Sequence, residues 1–560
     1  MSASLKPALT KGSFWEILRA GRRPFLDRWQ VAALFIAALV LAPLGVIFLS
    51  FFSPKDDIWR HLVATVLSDL IVNTLRLAAG VALGTTLLGV SLAWLTAAYD
   101  FPGRRQFCWA LAAPLAFPPY VVAFVSIGLL DFTGPVQTFL RGWLGPERFW
   151  FPNIRSTGGV IWVMTFTLYP YVYLLARNAF LTQGRRALEV AQSLGQSRAR
   201  GFFKVALPMA RPWIIGGATL ALMETLADFG TVSIFNYDTF TTAIYKVWFG
   251  LFSLTAAAQL ASLLVLIVFI ILLVEQQSRF RPRYSQAGRD APSGDRLPLR
   301  GVRGWIAFAY ASLVLLVAFV IPLGQLSVWA VQAFDRDFDR RFFSFLIHSV
   351  SLGGMAALLT CGAALILVYA NRRKNDFFTR AIVRVATLGY ALPGSVLAVG
   401  VFIPLAWIDN QMIDWAKSLL GWDIDPLFNG AMIAMLLAYL IRFLAVSHGA
   451  MDSAMNRITA NMDETARSLG LYGAPLLRKV YLPMLRGGLL TAAILVFVDV
   501  IKEMPITLMT RPFGWDTLSV RIFEMTSEGE WERAALPAVA LVLAGLIPIM
   551  LLTKYSEKRD

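Results

Sequence analysis

Glu189-Val-Ala-Gln-Ser-Leu-Gly195, followed after nine residues by Val205-Ala-Leu-Pro208, recurs as Glu464-Thr-Ala-Arg-Ser-Leu-Gly470 and Val480-Tyr-Leu-Pro483. A single offset of 275 residues relates the two copies. The same shift carries Lys204 onto Lys479, Pro118 onto Pro393, and Glu224 and Asp228 onto Asp499 and Glu503. One ungapped shift across that distance reads as an internal duplication. Within each copy, Ala191 and Leu194, like Ala466 and Leu469, are three apart and share one face of a short helix. Gly195 and Gly470 then let the chain turn. Pro208 and Pro483 suit the first turn of a following helix, where no backbone donor is lost. The expected product is a short polar-flanked helix with an exposed small-residue face.

Outward from this repeat the chain is apolar. Of 560 residues, 57% are hydrophobic and only 15% charged, against roughly a quarter charged in a soluble domain. A helix crossing the hydrocarbon core needs about 20 apolar residues, because it must satisfy its own backbone there. Twelve such segments begin near Val31, Leu70, Phe107, Gly158, Trp213, Ala257, Trp305, Ile347, Ala381, Gly430, Leu489 and Ala534. The fold class is therefore all-α and polytopic, with about twelve transmembrane helices as two parallel six-helix repeats. The Arg-rich amino terminus runs into an apolar segment too long for a cleaved export signal, so that segment is expected to be a retained span.

Charge assigns sides. Lys and Arg exceed Asp and Glu by 51 to 35, a net +16. The excess sits in short runs between apolar stretches, which points to cytoplasmic loops and away from nucleic acid. Arg104-Arg105, Arg372-Arg373-Lys374 and the Arg-rich segment between the sixth and seventh spans all lie in loops of one side. Both termini are thus expected in the cytoplasm. Residues 276–304, rich in Arg, Pro, Gly and Ser, form a linker between a first module (1–275, repeated loop about 182–212) and a second (305–560, repeated loop about 452–486). An even number of spans per module gives both the same orientation, with a path expected between them.

The repeated loop resembles the coupling loop of ABC importer permeases, whose signature is Glu-Ala-Ala, three residues, Gly, nine residues, Ile-x-Leu-Pro. Val190 and Thr465 replace the second signature residue, and Val205 and Val480 replace the Ile. The resemblance implies that Glu189, Ala191, Gly195, Leu207 and Pro208, and again Glu464, Ala466, Gly470, Leu482 and Pro483, engage a cytoplasmic ATPase subunit, one copy per loop. No Gly-x-x-x-x-Gly-Lys-Ser/Thr occurs in the chain, so ATP and magnesium are expected on that partner and no cofactor on this chain. A catalytic role is not expected. The two cysteines, Cys108 and Cys361, lie in apolar segments, and His61, His348 and His448 lack metal-ligand spacing.

Charge inside the membrane costs at least about 2.5–3.5 kcal/mol per group and calls for a partner or a function. Glu224 lies twelve residues beyond Pro212, about 18 Å along a helix and so near mid-membrane. Asp228 is expected one turn further on the same face, and Asp499 and Glu503 repeat the pair. Four carboxylates would then face one another across the pseudo-two-fold axis as a cation path. Alternatively, Arg76, Arg442 and Lys502 neutralise them in structural pairs. No ligand set for a bound metal emerges. Phe117-Pro-Pro-Tyr120 and Leu392-Pro-Gly394 align between halves as bends that either line the path or merely kink helices.

Glu224-Thr-Leu-Ala-Asp-Phe-Gly-Thr231, Lys502-Glu-Met-Pro-Ile-Thr507 and Arg511-Pro-Phe-Gly-Trp-Asp-Thr517 are similar to the fused two-module permeases of ferric iron uptake. That resemblance implies an inner-membrane importer fed by a periplasmic binding protein, which would dock on the outer loops. Permeases for thiamine, polyamines and phosphonates share much of the pattern, and a proton-driven transporter using the four acids is the remaining alternative.

Overall fold

The computed structural model describes residues 27–53, 57–145, 151–184, 191, 193, 195–279, 296–374, 376–422, 425–428 and 430–557. Glu189 and most of the linker lie outside these residues. Twelve long helices organise the rest: α1 (Arg28–Ser50), α2 (Leu67–Ala98), α3 (Pro119–Leu130), α4 (Thr157–Ala179), α5 (Leu207–Ala227), α6 (Leu254–Arg279), α7 (Val302–Asp337), α8 (Arg340–Arg373), α9 (Gly394–Leu420), α10 (Met432–Met455), α11 (Leu482–Lys502) and α12 (Trp531–Glu557). Among the described residues eleven helical segments, one per helix through α11, are long and apolar enough to cross a membrane. The 27-residue α12 takes the twelfth expected place. Among the described residues sheet structure is confined to Tyr99–Asp100, paired in parallel with Leu297–Pro298 within the linker.

The third and ninth spans start later than their apolar runs suggest. Residues near Phe107 form a separate helix, Arg104–Ala110, and a 3₁₀ turn, Ala113–Ala116, before α3 begins at Pro119. Residues near Ala381 likewise form Phe377–Ala386 and the turn Leu388–Ala391 before α9 begins at Gly394. The cause is proline, which drives the residue before it out of the helical region. Phe117 (ψ 129°) and Leu392 (ψ 131°) are both extended. Hydropathy does not place this break, because apolar residues run on both sides of each proline.

The duplication is visible element by element. α5 and α11 begin and end 275 residues apart, and each is preceded by a π turn, Phe202–Ala206 and Leu477–Tyr481. Pro208 and Pro483 consequently sit within a continuing helical run rather than at a fresh start. Their missing donors are accommodated by the wider preceding turn. Beyond Thr510 the offset grows to 278, so that Thr239 and Thr517 cap equivalent helices, Phe240–Tyr245 and Leu518–Ser527.

Packing crosses the midpoint of the chain. Ala33, Ile36, Ala37 and Val40 of α1 share a core with Leu352, Ala356 and Leu397 of α8 and α9. Reciprocally, Ala307, Ala311, Val314 and Ala318 of α7 pack with Leu92, Tyr169 and Tyr173 of α2 and α4. Each sequence half thus lends its first span to the other. Polar contacts reinforce the exchange: Arg373 pairs with Asp27 at 2.8 Å, and Gln30 Nε2 donates to Thr379 at 2.7 Å.

Candidate functional site

At the two repeated loops, the chain after each repeated Gly closes in the same way. Gly195 (φ 79°) and Gly470 (φ 78°) are left-handed, a region that side chains other than glycine enter at a cost. The next amide turns back onto the alanine carbonyl: Gln196 N–H donates to Ala191 O at 2.9 Å, and Leu471 N–H to Ala466 O at 3.0 Å. In the second half this closes a nine-residue helix, Ala460–Ser468. Ala191 and Ala466 are only 4% and 6% exposed. They face inward, so the expected exposed small-residue face is not formed. A methyl side chain lets the loop helix lie close to the membrane helices, and the outward surface carries Glu464, Met462, Leu469 and Tyr472. Leu207 and Leu482 are half-buried, while Pro208 and Pro483 are exposed.

The acids lie where two helices break. α5 ends at Ala227 and α11 at Lys502, each followed by an extended residue, Asp228 (ψ 134°) and Glu503 (ψ 118°). Glu224 is therefore in the last turn of its helix, and Asp228 does not continue the same helical face. Instead each second acid folds over the start of a short helix. Asp228 accepts from Thr231 Oγ1 at 2.9 Å and Val232 N–H at 3.1 Å, above Gly230–Ile234. Glu503 accepts from Ile506 N–H at 3.3 Å, above Pro505–Thr510. Carboxylates at these positions satisfy amide donors that the helix starts leave open. Thr241 Oγ1 donates to Asp228 O at 2.6 Å, and its counterpart Ser519 Oγ to Glu503 O at 3.1 Å.

All four carboxylates line one cavity of about 160 Å³ between the halves, together with Arg442, Lys502, Tyr120, Tyr171 and Tyr390. The two proline breaks line it as well, through Phe117, Pro118 and Pro119 on one side and Tyr390 on the other. Glu503 is paired: Arg442 Nε lies 3.4 Å from its Oε2, and Arg442 Nη1 also donates to Leu392 O at 2.9 Å. Lys502 Nζ donates across the interface to Leu115 O at 3.1 Å. Tyr390 of the second half donates to Glu224 Oε1 of the first at 3.2 Å. Among the described residues neither Glu224, Asp228 nor Asp499 has a basic group within ion-pair distance. Arg76 is exposed and outside the cavity lining, so it does not neutralise them.

Gly394 permits the Glu503 arrangement. A Cβ there would stand 2.5 Å from Glu503 Oε1, so a side chain at this position would push that carboxylate away from the start of α9. Tyr171 and Tyr390 are the chamber residues that sequence reasoning missed, whereas Tyr120 stands within the Pro-Pro stretch already singled out. Tyr390 lies three residues before Pro393, so proximity to the break was the available signal. Among the described residues no group of three or more His, Cys, Asp or Glu is placed to hold a metal ion. Chemically the site is a small, polar, acid-rich chamber that can stabilise a cation without chelating it, as a conduction site requires.

A family described as binding-protein-dependent transport system inner membrane component matches residues 85–286 and, a second time, 349–559. The chain is 28% identical over 496 residues to an Fe(3+)-transport system permease protein of Haemophilus influenzae, covering 88% of this chain and 91% of that one. It is 23% identical over 492 residues to a ferric transport system permease protein of Actinobacillus pleuropneumoniae, covering 83% and 68%. A molybdate/tungstate transport system permease protein of Thermococcus kodakarensis is 28% identical over 242 residues, 42% of this chain and 90% of that one.

Proposed function

Because the chain belongs to the family of binding-protein-dependent transport system inner membrane components, we propose that it is the membrane subunit of an ATP-driven importer whose cargo is ferric iron. The observation that carries the cargo is the chamber between the halves, where four carboxylates face two basic groups. Both bases are engaged, Arg442 with Glu503 and Leu392 O, Lys502 with Leu115 O. The remaining acids favour a cation over an oxyanion such as molybdate, and hard oxygen donors suit a trivalent ion. Full-length similarity to ferric permeases supports the same reading.

In this reading a periplasmic binding protein delivers the ion to the outer loops, including Asn236 to Leu254 and Arg511 to Trp531. Two copies of a cytoplasmic ATPase engage the loops that end at Pro208 and Pro483, with both termini on that side. The exposed Glu464 and Leu469 belong to the second docking surface. ATPase closure rocks the halves against each other, and the helix breaks at Asp228 and Glu503 are the points at which the path changes. Glu224, Asp228, Asp499 and Glu503 stabilise the passing charge, while Tyr390 holds Glu224 in place.

The test is accumulation of labelled ferric iron, molybdate or thiamine in vesicles holding the full assembly. Ferric iron should accumulate only with ATP and survive a collapsed proton gradient. Asp228→Asn combined with Asp499→Asn should lower uptake by about tenfold at unchanged ATPase capture, since each removes stabilisation of a buried charge. Accumulation of molybdate in place of iron would overturn the cargo, and dependence on the proton gradient would overturn the class.

A further inference from the structure

The second cytoplasmic loop is tied into the membrane helices from both sides through one carboxylate. Asp463, in the first turn of the loop helix, receives Arg372 Nε at 3.0 Å and Nη2 at 2.8 Å from the end of α8. It also receives Tyr481 Oη at 2.7 Å from the residue that leads into α11. Arg372 Nη2 donates further to Ile458 O at 2.9 Å, just before the loop helix, and Tyr369 Oη to Gly473 O at 3.1 Å, just after it. The side chains of Arg372 and Asp463 are 24% and 14% exposed, so this charge-assisted network is partly shielded from water and stronger than a surface pair.

At the repeat offset the first half carries Ala97, Leu188 and Ala206 in place of Arg372, Asp463 and Tyr481. None of the three can form an ionic or hydroxyl bond. The difference concerns the helix that matters most to the chamber. α11 runs 21 residues from Leu482 to Lys502, roughly 30 Å, and carries Asp499 and Lys502 at its far end with Glu503 following.

Building on the docking role proposed above, we propose that Asp463 is a positioning residue that makes the second loop the stiff transmitting arm of the permease. Displacement of this loop by the ATPase moves α8 and α11 together and reaches the chamber along α11. At the matching offsets of the first half, Ala97, Leu188 and Ala206 cannot build this network, so the two ATPase contacts are mechanically unequal although their sequence signatures match.

The experiment uses the full assembly in vesicles and reads three quantities: ATPase captured per permease, ATP hydrolysed, and ferric iron accumulated per ATP. Asp463→Ala should leave capture intact and lower iron per ATP by about tenfold, the loss expected for a hydrogen-bonded charge. Tyr481→Phe should lower it less, and Asp463→Glu should restore most of it. Unchanged iron per ATP in both Asp463→Ala and Tyr481→Phe overturns the proposal, as does a fall in capture that parallels the fall in uptake. Failure of the unaltered chain to capture an ATPase overturns the docking reading itself, before any variant is compared.

Discussion

The repeated loop of the second half is held to α8 and α11 through Asp463, whereas the first half has Ala97, Leu188 and Ala206 at those offsets. In the chamber the division is similar: Arg442 and Lys502 come from the second half, and Thr167 and Ala227 occupy the matching offsets in the first. What the halves share is backbone. The left-handed glycine, the π turn, the proline break and the acid at the helix end recur at one spacing. Each of these depends on local dihedral angles, so each copy must keep its own. A charge partner in a common chamber needs to be supplied only once, and the two halves were free to diverge there.

The strongest way to break this comparison is to remove the shared base. Arg442→Ala should destabilise the chain by about 3–5 kcal/mol, since it leaves a buried Glu503 carboxylate without its cation. Thr167→Ala, at the matching offset, should cost far less. Thermal unfolding of the purified protein in detergent measures both, and equal losses would mean that the halves hold the chamber alike. Next in size is Gly394→Ala, whose Cβ would meet Glu503 Oε1 at 2.5 Å. It should cost about 1–3 kcal/mol as an overpacked contact and lower cation uptake, while Pro119→Ala at the matching offset leaves both nearly unchanged.

Gly195→Val and Gly470→Val sharpen the comparison from the side of the shared backbone. Left-handed φ costs a non-glycine residue about 1–2 kcal/mol, and both sites have open space around them. Strain at the two loops should therefore be equal, visible as matching increases in protease cleavage there. Smallest is the pair Thr241→Val and Ser519→Ala. Each removes one hydroxyl bond to the carbonyl at a helix break, worth about 1 kcal/mol. Nearly equal shifts in melting temperature are expected.

Much of this was legible in the amino-acid order. The apolar runs give seven of the twelve helix starts to within three residues, and the positions of Glu224 and Asp499 inside such runs mark them in the sequence. The structure differs from the sequence expectation at three places, each for a physical reason. The third and ninth spans were started too early, because Arg104–Ala116 and Phe377–Ala391 are apolar yet are severed from the following helix by Pro118 and Pro393. Asp228 was placed on the helical face of Glu224, because periodicity assumes a helix that in fact ends one residue earlier. Ala191 and Ala466 were turned outward, because the spacing of small residues says which share a face and not which way it looks.

The sequence by itself determined that the chain is helical, spans a membrane many times and is duplicated, since each follows from composition and spacing, properties local to a segment or to two segments compared. Only the tertiary structure decided that α1 and α7 pack on the opposite halves, that four carboxylates share one chamber, and that Glu503 alone among them pairs with a base of the described residues within ion-pair distance. Those outcomes depend on which surfaces meet across more than a hundred residues of chain. Such meetings are settled by side-chain volume and by the need to partner buried charge, neither of which has a period that can be read along the sequence.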